Sequence, residues 1–294
     1  MVAVIWGMNF VVIDEGLAGV PPLLFLTIRF TVVVLPAIFV LPRPAVPWRT
    51  LATVGIFLSI GQFALLYSAL AAGMPPGLAS LVLQAQVLFT VALAALHLHE
   101  RPSARQLAGT VVGACGLALV ASGRSAQTPL LGLLLSLAAA LSWATGNIAS
   151  RQAKVASGLA MTVWSGVFVP LPMLALSLVI NGPAEVGTAL THLTAVNLLS
   201  TAYTAYLASL VGYGIWNTLL ARHPAALVVP FTLLVPAVGL LTAWVAQGEQ
   251  PGPAEAIGGL VLLAGVAITA ISRRPGLRPR VRPAAEGPPV PVVG

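Results

Sequence analysis

The stretch that decides the fold reads PLLGLLLSLAAALSWATGNIAS and occupies residues 129–150. It contains no charged residue and only a few small polar ones. A helix rising about 1.5 Å per residue crosses the roughly 30 Å hydrocarbon core of a bilayer within this length. Residues 129–150 are therefore predicted to span a membrane.

The rest of the chain has the same character. Of its 294 residues, 58% are hydrophobic and 7% are charged, and the mean hydropathy is +0.98. Soluble domains carry roughly 25% charged residues, so this chain could not cover a water-facing surface of its own size. A soluble globular enzyme is excluded. The single cysteine excludes an internal disulfide framework.

The sequence divides into ten candidate spans separated by short segments of Pro, Gly and charged residues. The predicted spans are 1–17, 21–41, 51–72, 75–97, 104–122, 129–150, 158–180, 194–220, 224–246 and 254–272. Short links make consecutive helices antiparallel neighbours. We therefore predict an all-α integral membrane protein with ten transmembrane helices.

The first span is short, because the residues before Asp14 reach only roughly 20 Å. A signal peptide is the alternative, but no basic residue precedes Arg29, whereas such peptides have a positive first region. We favour a span whose native start lies upstream.

Basic residues indicate the orientation. With the C-terminus in the cytoplasm, 12 of the 14 Lys and Arg residues fall on the inner side, as the positive-inside rule requires. The outer loops then hold only Arg124, and Arg29 lies inside a span. Both termini are predicted to be cytoplasmic. The Arg/Pro-rich tail, 273–294, is predicted to be disordered and held near anionic lipid headgroups, with nucleic-acid binding as the less favoured alternative.

The two halves are related by an offset of 149 residues. At this offset identical residues recur in pairs: Pro75 and Pro224, Glu100 and Glu249, Pro102 and Pro251, Gly109 and Gly258, Gly116 and Gly265. Five spans per unit is an odd number, so the second copy must enter the membrane with the opposite orientation. Inverted repeats favour transport by alternating access around a site near the bilayer midplane; retention for bundle stability is the alternative.

Polar side chains within predicted spans are candidate substrate-binding residues, because they are costly in a membrane unless they are paired. Several share a helix face: Trp6 with Asn9, Trp143 with Asn147, and Tyr213 with Trp216 and Asn217. The remaining candidates are Tyr67, Gln84 and Gln86, of which the two glutamines lie about 200° apart on a helical wheel. Amides and indoles suit a small neutral or zwitterionic solute, while hydrogen bonding between helices without a ligand is the alternative for each residue.

Arg29 is a charged residue that lies well inside the predicted span 21–41. It could bind a substrate carboxylate, a role that suits guanidinium geometry. The favoured interpretation is structural: the side chain snorkels, or it pairs with Asp14 or Glu15.

Proton coupling, metal binding and cofactor binding have little support in the sequence. No Asp or Glu lies well inside a predicted span, which favours facilitated export or exchange over proton coupling. His97 and His99 are two residues apart and would point away from each other on a helix, so no metal is expected there. No Gly-rich phosphate loop is present, and no cofactor is predicted.

Several motifs resemble the drug/metabolite transporter superfamily, and in particular its EamA branch. The resembling segments are Trp6–Phe10, Arg29–Phe30, Gly77–Gln86, Glu100–Arg101, Ser142–Ile148, Val211–Trp216 and Leu233–Gly239. The resemblance implies ten helices in two inverted five-helix repeats, 1–122 and 129–272, in the bacterial inner membrane. It also implies a central cavity lined by the candidate residues named above.

The same resemblance implies export of small amino-acid metabolites such as O-acetylserine and cysteine. The expected partners are an amino-acid-like solute and membrane lipid, with no nucleic acid, and a homodimer is left open. A broader amino-acid or drug exporter is the nearest alternative. A membrane sensor or scaffold that does not transport is the alternative of another class. A membrane-embedded enzyme is disfavoured, because the predicted spans offer no nucleophile with its base at the depth of the cavity.

Overall fold

The fold was obtained as a computed structural model that describes residues 1–99, 101–122, 129–153, 155, 157–222, 232 and 234–270. The side chains of Asn217 and of 220–222 lie outside this description, as do Glu100 and the predicted tail, 273–294. Within the described ranges, every regular element is a helix. The helices are α1 (Val2–Gly16), α2 (Pro22–Ala37), α3 (Trp48–Ala71), α4 (Pro76–His97), α5 (Ala104–Ser122), α6 (Leu130–Ala153), α7 (Gly158–Gly166), α8 (Pro170–Thr191), α9 (Ala195–Ala202 continuing through Tyr203–Gly212 and Tyr213–Arg222), α10 (Leu234–Gln247) and α11 (Pro253–Ala270).

Seven of these helices are long and apolar enough to cross a membrane, counted over the described residues. They are α3, α4, α5, α6, α8, α9 over Ala195–Trp216, and α11. Helices α2 and α10 are apolar but shorter. Large apolar side chains cover the outside of the bundle: Leu171 is 78% exposed, Val245 72% and Leu260 69%. Such a surface suits lipid, which confirms an all-helical membrane protein, while the count of ten spans stays a prediction.

The predicted seventh span, 158–180, is not one continuous helix. Helix α7 ends at Gly166 and α8 begins at Pro170. Pro170 and Pro172 supply no N–H group to the preceding turn, so the helix is interrupted there. Helix α8 then bends at Gly182, which has a φ of +82° and is followed by Pro183. The predicted end of the span at residue 180 therefore lies next to a sharp kink inside α8, which continues to Thr191.

Two helices contain a π-helical segment, Gly55–Gly61 in α3 and Tyr203–Gly212 in α9. Moved by the offset of 149 residues, the first segment falls inside the second. Such segments are rare and are often found at functional sites. Segments related by the offset of 149 residues thus share an unusual local structure.

Helices α5 and α11 approach closely through glycines. A Cβ atom on Gly109 would lie 2.7 Å from the carbonyl oxygen of Gly265, and one on Gly116 would lie 2.6 Å from that of Gly258. Small residues allow this backbone contact between membrane helices. Gly109 and Gly258, like Gly116 and Gly265, are related by the offset of 149 residues, so the two contacts correspond to each other, as the predicted repeats would require.

Other helix contacts follow the same relation. Helix α1 packs on α9 and α10, and α6 packs correspondingly on α3 and α4. Helix α2 packs on α8, and α4 packs on α10. The main core lies where these helices meet, and Phe25, Arg29 and Tyr67 are among its largest fully buried side chains.

We expect Gly116→Leu to lower the melting temperature of the purified protein by several degrees, because the new side chain would overlap the backbone of α11. Overpacking of this kind costs about 1–3 kcal/mol. The matched control is Gly187→Leu, since a Cβ atom at Gly187 in α8 meets nothing within 4 Å. Equal melting temperatures for the two variants would contradict the close α5–α11 contact.

Candidate functional site

Arg29 lies inside the bundle, about two turns into α2, and is 2% exposed. One terminal guanidinium nitrogen donates to the hydroxyl of Tyr67 in α3, and the other donates to Oγ of Ser209 in α9 at 3.0 Å. The Cζ atom lies 4.2 Å from the centre of the Phe63 ring, so the cation also rests on an aromatic face. We call Arg29, Phe63, Tyr67 and Ser209 the arginine cluster.

The expected ion pair between Arg29 and Asp14 or Glu15 is wrong, and so is the expected snorkelling. The two carboxylates lie at the end of α1, where both accept hydrogen bonds from the Gln247 amide at 2.8 Å. Arg29 is too deep in α2 to share them, and the hydroxyls of the arginine cluster are within its reach instead.

A second group joins α1 to α9. The ring of Trp6 lies 5.1 Å from that of Tyr213 and 5.6 Å from that of Trp216, between centroids, and we call these three residues the indole cluster. Trp6 Nε1 donates to the carbonyl oxygen of Ala208 at 3.0 Å. This carbonyl belongs to the π-helical segment that also carries Ser209.

A third group joins α4 to α6. Asn147 Nδ2 donates to Gln86 Oε1 at 3.0 Å and to Thr90 Oγ1 at 3.5 Å. We call Gln86 and Asn147 the amide pair. Gln84 instead donates to the carbonyl oxygen of Thr232 at 3.3 Å. The two glutamines therefore bind different partners, as their angular separation predicts.

The remaining predicted residues fall outside these groups. Trp143 is half-buried and packs against the main core. Asn9 is buried, and its Oδ1 atom has no hydrogen-bond partner among the described residues. The side chain of Asn217 is not described. The predicted set is thus resolved into separate clusters, and a single lining made of all ten residues stays a prediction.

Three residues of these groups, Phe63, Thr90 and Ser209, were not predicted, and neither was the buried Gln62. Gln62 is buried in α3, next in sequence to Phe63, and its Oε1 atom has no partner among the described residues. Gln62, Thr90 and Ser209 are polar residues within predicted spans, so a stricter search of the spans would have found them. Phe63 gave no signal, because an aromatic ring in an apolar helix is ordinary.

The ends of several helices are tied together on the predicted outer side. The carboxylate of Glu249, just after α10, accepts from the backbone N–H groups of Gly77 at 2.8 Å and Leu78 at 3.1 Å, at the start of α4. Burial raises the pKa of Glu249 above its ordinary value, against the lowering effect of these two donors. Asn197 in α9 donates to the carbonyl oxygens of Gly16, the last residue of α1, and of Ala18 just after it. We call these contacts, with those of Gln247, the outer-end contacts.

A bundle of apolar helices that holds a cation, indoles and amides in its interior is the architecture of a multi-pass membrane transporter. Comparison with known proteins is more specific. The profile of the EamA-like transporter family matches residues 1–122 and 130–271. The chain belongs to this family, which is part of the drug/metabolite transporter superfamily and consists of transporters rather than enzymes.

Relatives with descriptive names are bacterial. The chain is 41% identical over 280 residues to a "Probable amino-acid metabolite efflux pump" of Salmonella typhimurium strain LT2, covering 93% of this chain and 94% of that protein. It is 40% identical, with the same coverage, to a protein of the same name from Escherichia coli strain K12. A "Probable terminal-alkyne amino-acid exporter" of Streptantibioticus cattleyicolor is 32% identical over 68% of this chain and 65% of that protein.

A solved crystal structure superposes with a TM-score of 0.59 over 91% of this chain and 93% of that chain. Its sequence identity is 22%, so this likeness concerns the fold alone.

We expect Gly212→Ala to displace the Trp6 indole, because a Cβ atom at Gly212 would lie 2.5 Å from Trp6 Nε1. The measurement is ¹⁹F NMR of protein labelled with fluorotryptophan, with the Trp6 resonance assigned by Trp6→Phe. Gly214→Ala is the matched control, since nothing lies within 4 Å of a Cβ atom there. A Trp6 resonance that moves no further in Gly212→Ala than in the control would contradict the described packing.

Proposed function

We propose that this protein exports small amino-acid metabolites, with O-acetylserine and cysteine as substrates, across the bacterial inner membrane. The observation that carries the proposal is the 41% identity over nearly the full length to a protein named as an amino-acid metabolite efflux pump. The relative named as a terminal-alkyne amino-acid exporter supports the same substrate class, because amino acids are common to both names. Both termini are placed in the cytoplasm on the basis of the basic residues.

The proposed mechanism is alternating access between two inverted five-helix repeats, 1–122 and 129–272. Three observations support the repeats: the reciprocal glycine contacts of α5 and α11, the equivalent π-helical segments, and the corresponding packing of α1 and α6. Two similar halves of opposite orientation can exchange conformations and so open one central site to either side in turn.

The interior groups supply a site that both halves share. The first half contributes Arg29, Tyr67 and Gln86, and the second contributes Ser209 and Asn147. In the proposed mechanism the amide pair offers a donor and an acceptor to the solute, and the indole cluster offers an apolar wall. Because no carboxylate is predicted deep within a span, the transport is proposed to be facilitated export or exchange without proton coupling.

Asn147→Ala should abolish export, since it removes the side chain that links α6 to α4 and orients the Gln86 amide. Membrane insertion should be unchanged, as judged by the amount of protein in isolated membranes. Asn181→Ala is a suitable control, because Asn181 lies at the kink of α8 and its side chain interacts with Ser177 and Glu185 at that helix's own bend. Export by Asn147→Ala at the wild-type rate would remove Asn147 from the site.

In inside-out vesicles the protein should take up labelled cysteine and O-acetylserine and should exchange them against the unlabelled solute. Collapse of the proton gradient should leave this counterflow unchanged. If a protonophore stops counterflow, the uncoupled mechanism is wrong. Saturable binding without flux would favour the alternative of a membrane sensor, and flux of unrelated drugs at equal rates would favour a broader exporter.

A further inference from the structure

We infer that Arg29 binds the carboxylate of the exported solute, with the Tyr67 hydroxyl as a second donor. The site would thus select amino acids that carry a free carboxylate. This role rests on the proposed export function and specifies which part of the solute the arginine cluster recognises.

The first reason is the unbalanced charge of Arg29. An arginine side chain stays protonated at any physiological pH, and this one is 2% exposed. Its hydrogen-bond partners among the described residues are the neutral oxygens of Tyr67 and Ser209, and its other neighbours are aromatic rings. A buried cation without a counterion is costly, and an anionic ligand would offset that cost.

The second reason is the remaining donor capacity of the cluster. The Nε atom of Arg29 has no hydrogen-bond partner among the described residues, although it is buried. The hydroxyl of Tyr67 accepts from Arg29 and has no described acceptor for its own proton. The hydroxyl of Ser209, in contrast, already donates to the carbonyl oxygen of Thr204 at 2.8 Å. Arg29 and Tyr67 therefore retain donors, and a carboxylate accepts such donors well.

The third reason is the position of the cluster. Arg29 and Tyr67 belong to the first half of the chain, and Ser209 belongs to the second. The Phe63 ring lies against the guanidinium, 4.2 Å from its Cζ atom, and the planar guanidinium suits a planar carboxylate. Ser209 directly follows Ala208, whose carbonyl oxygen accepts from Trp6, so the indole cluster lies beside the arginine cluster and would contact the rest of the solute.

Equilibrium binding to the purified full-length protein in nanodiscs tests this role, with cysteine and cysteine amide as the probes. The two differ in the carboxylate and little else. The wild type should bind cysteine about 10- to 100-fold more tightly than the amide, because hydrogen bonds to a charged group usually contribute that much to binding. Arg29→Gln should lose this preference by weakening cysteine binding while leaving binding of the amide unchanged. Arg29→Lys should keep part of it, and Tyr67→Phe should reduce it.

Arg43→Gln is the matched control. Arg43 also stacks on an aromatic ring, at 4.2 Å from the centre of Trp48, but it is exposed and donates to the Val46 carbonyl oxygen. Its loss should leave both affinities unchanged.

Parallel weakening of cysteine and cysteine amide in Arg29→Gln and Tyr67→Phe would assign Arg29 a structural role and overturn the inference while leaving export intact. Unchanged cysteine binding in Arg29→Gln would also overturn it. If the wild type binds neither probe, the proposed substrate class itself is wrong, and the role of Arg29 fails with it. Should Arg29→Gln fail to fold, Arg29→Lys and Tyr67→Phe still decide the question through the ratio of the two affinities.

Discussion

A charged guanidinium inside a bundle of apolar helices constrains the packing of the helices around it. Arg29 must find its partners within the protein, because the lipid on the outside offers none. It finds them on two other helices, Tyr67 on α3 and Ser209 on α9, and so fixes how α2, α3 and α9 pack together. The π-helical segment of α9 takes part in this arrangement, since Ser209 also donates to the carbonyl oxygen of Thr204, five residues earlier.

The two halves resemble each other in their scaffold and differ at their centre. The glycines of α5 and α11 are equivalent in pairs, and both halves have a π-helical segment at the same place. The side chains that face the centre are not equivalent: at the offset of 149 residues Tyr67 corresponds to Trp216, and Ser209 corresponds to Ile60. In the proposed mechanism, the similar scaffolds would let the halves exchange conformations, and the asymmetric centre would let one side of the solute be recognised differently from the other.

Hydropathy predicted much of the fold but only part of the site. A long apolar run must form a helix in a membrane, so the helices near 48–71, 76–97 and 130–153 were predictable from length alone. The same periodicity correctly separated Gln84 from Gln86 and placed Tyr213 and Trp216 on one face. It could not give the partners of Arg29, which lie 38 and 180 residues away, because a helical wheel fixes direction only relative to its own axis. The break before α8 depends on the missing N–H groups of Pro170 and Pro172, which hydropathy does not weigh.

The outer-end contacts and the buried arginine cluster differ in the free energy needed to break them. The outer-end contacts involve carboxylates and amides at helix ends, such as Gln247 with Asp14 and Glu249 with the start of α4. Water can replace partners there, so each contact is worth only about 0.5–1.5 kcal/mol, or somewhat more where a carboxylate is ionised. The arginine cluster is buried, so breaking its hydrogen bonds would leave a charged group without partners in a low-dielectric interior, which costs more. In the proposed cycle the outer ends of α1, α4 and α10 would therefore separate before the arginine cluster does, and a carboxylate bound to Arg29 would stay shielded while the path to the outside opens.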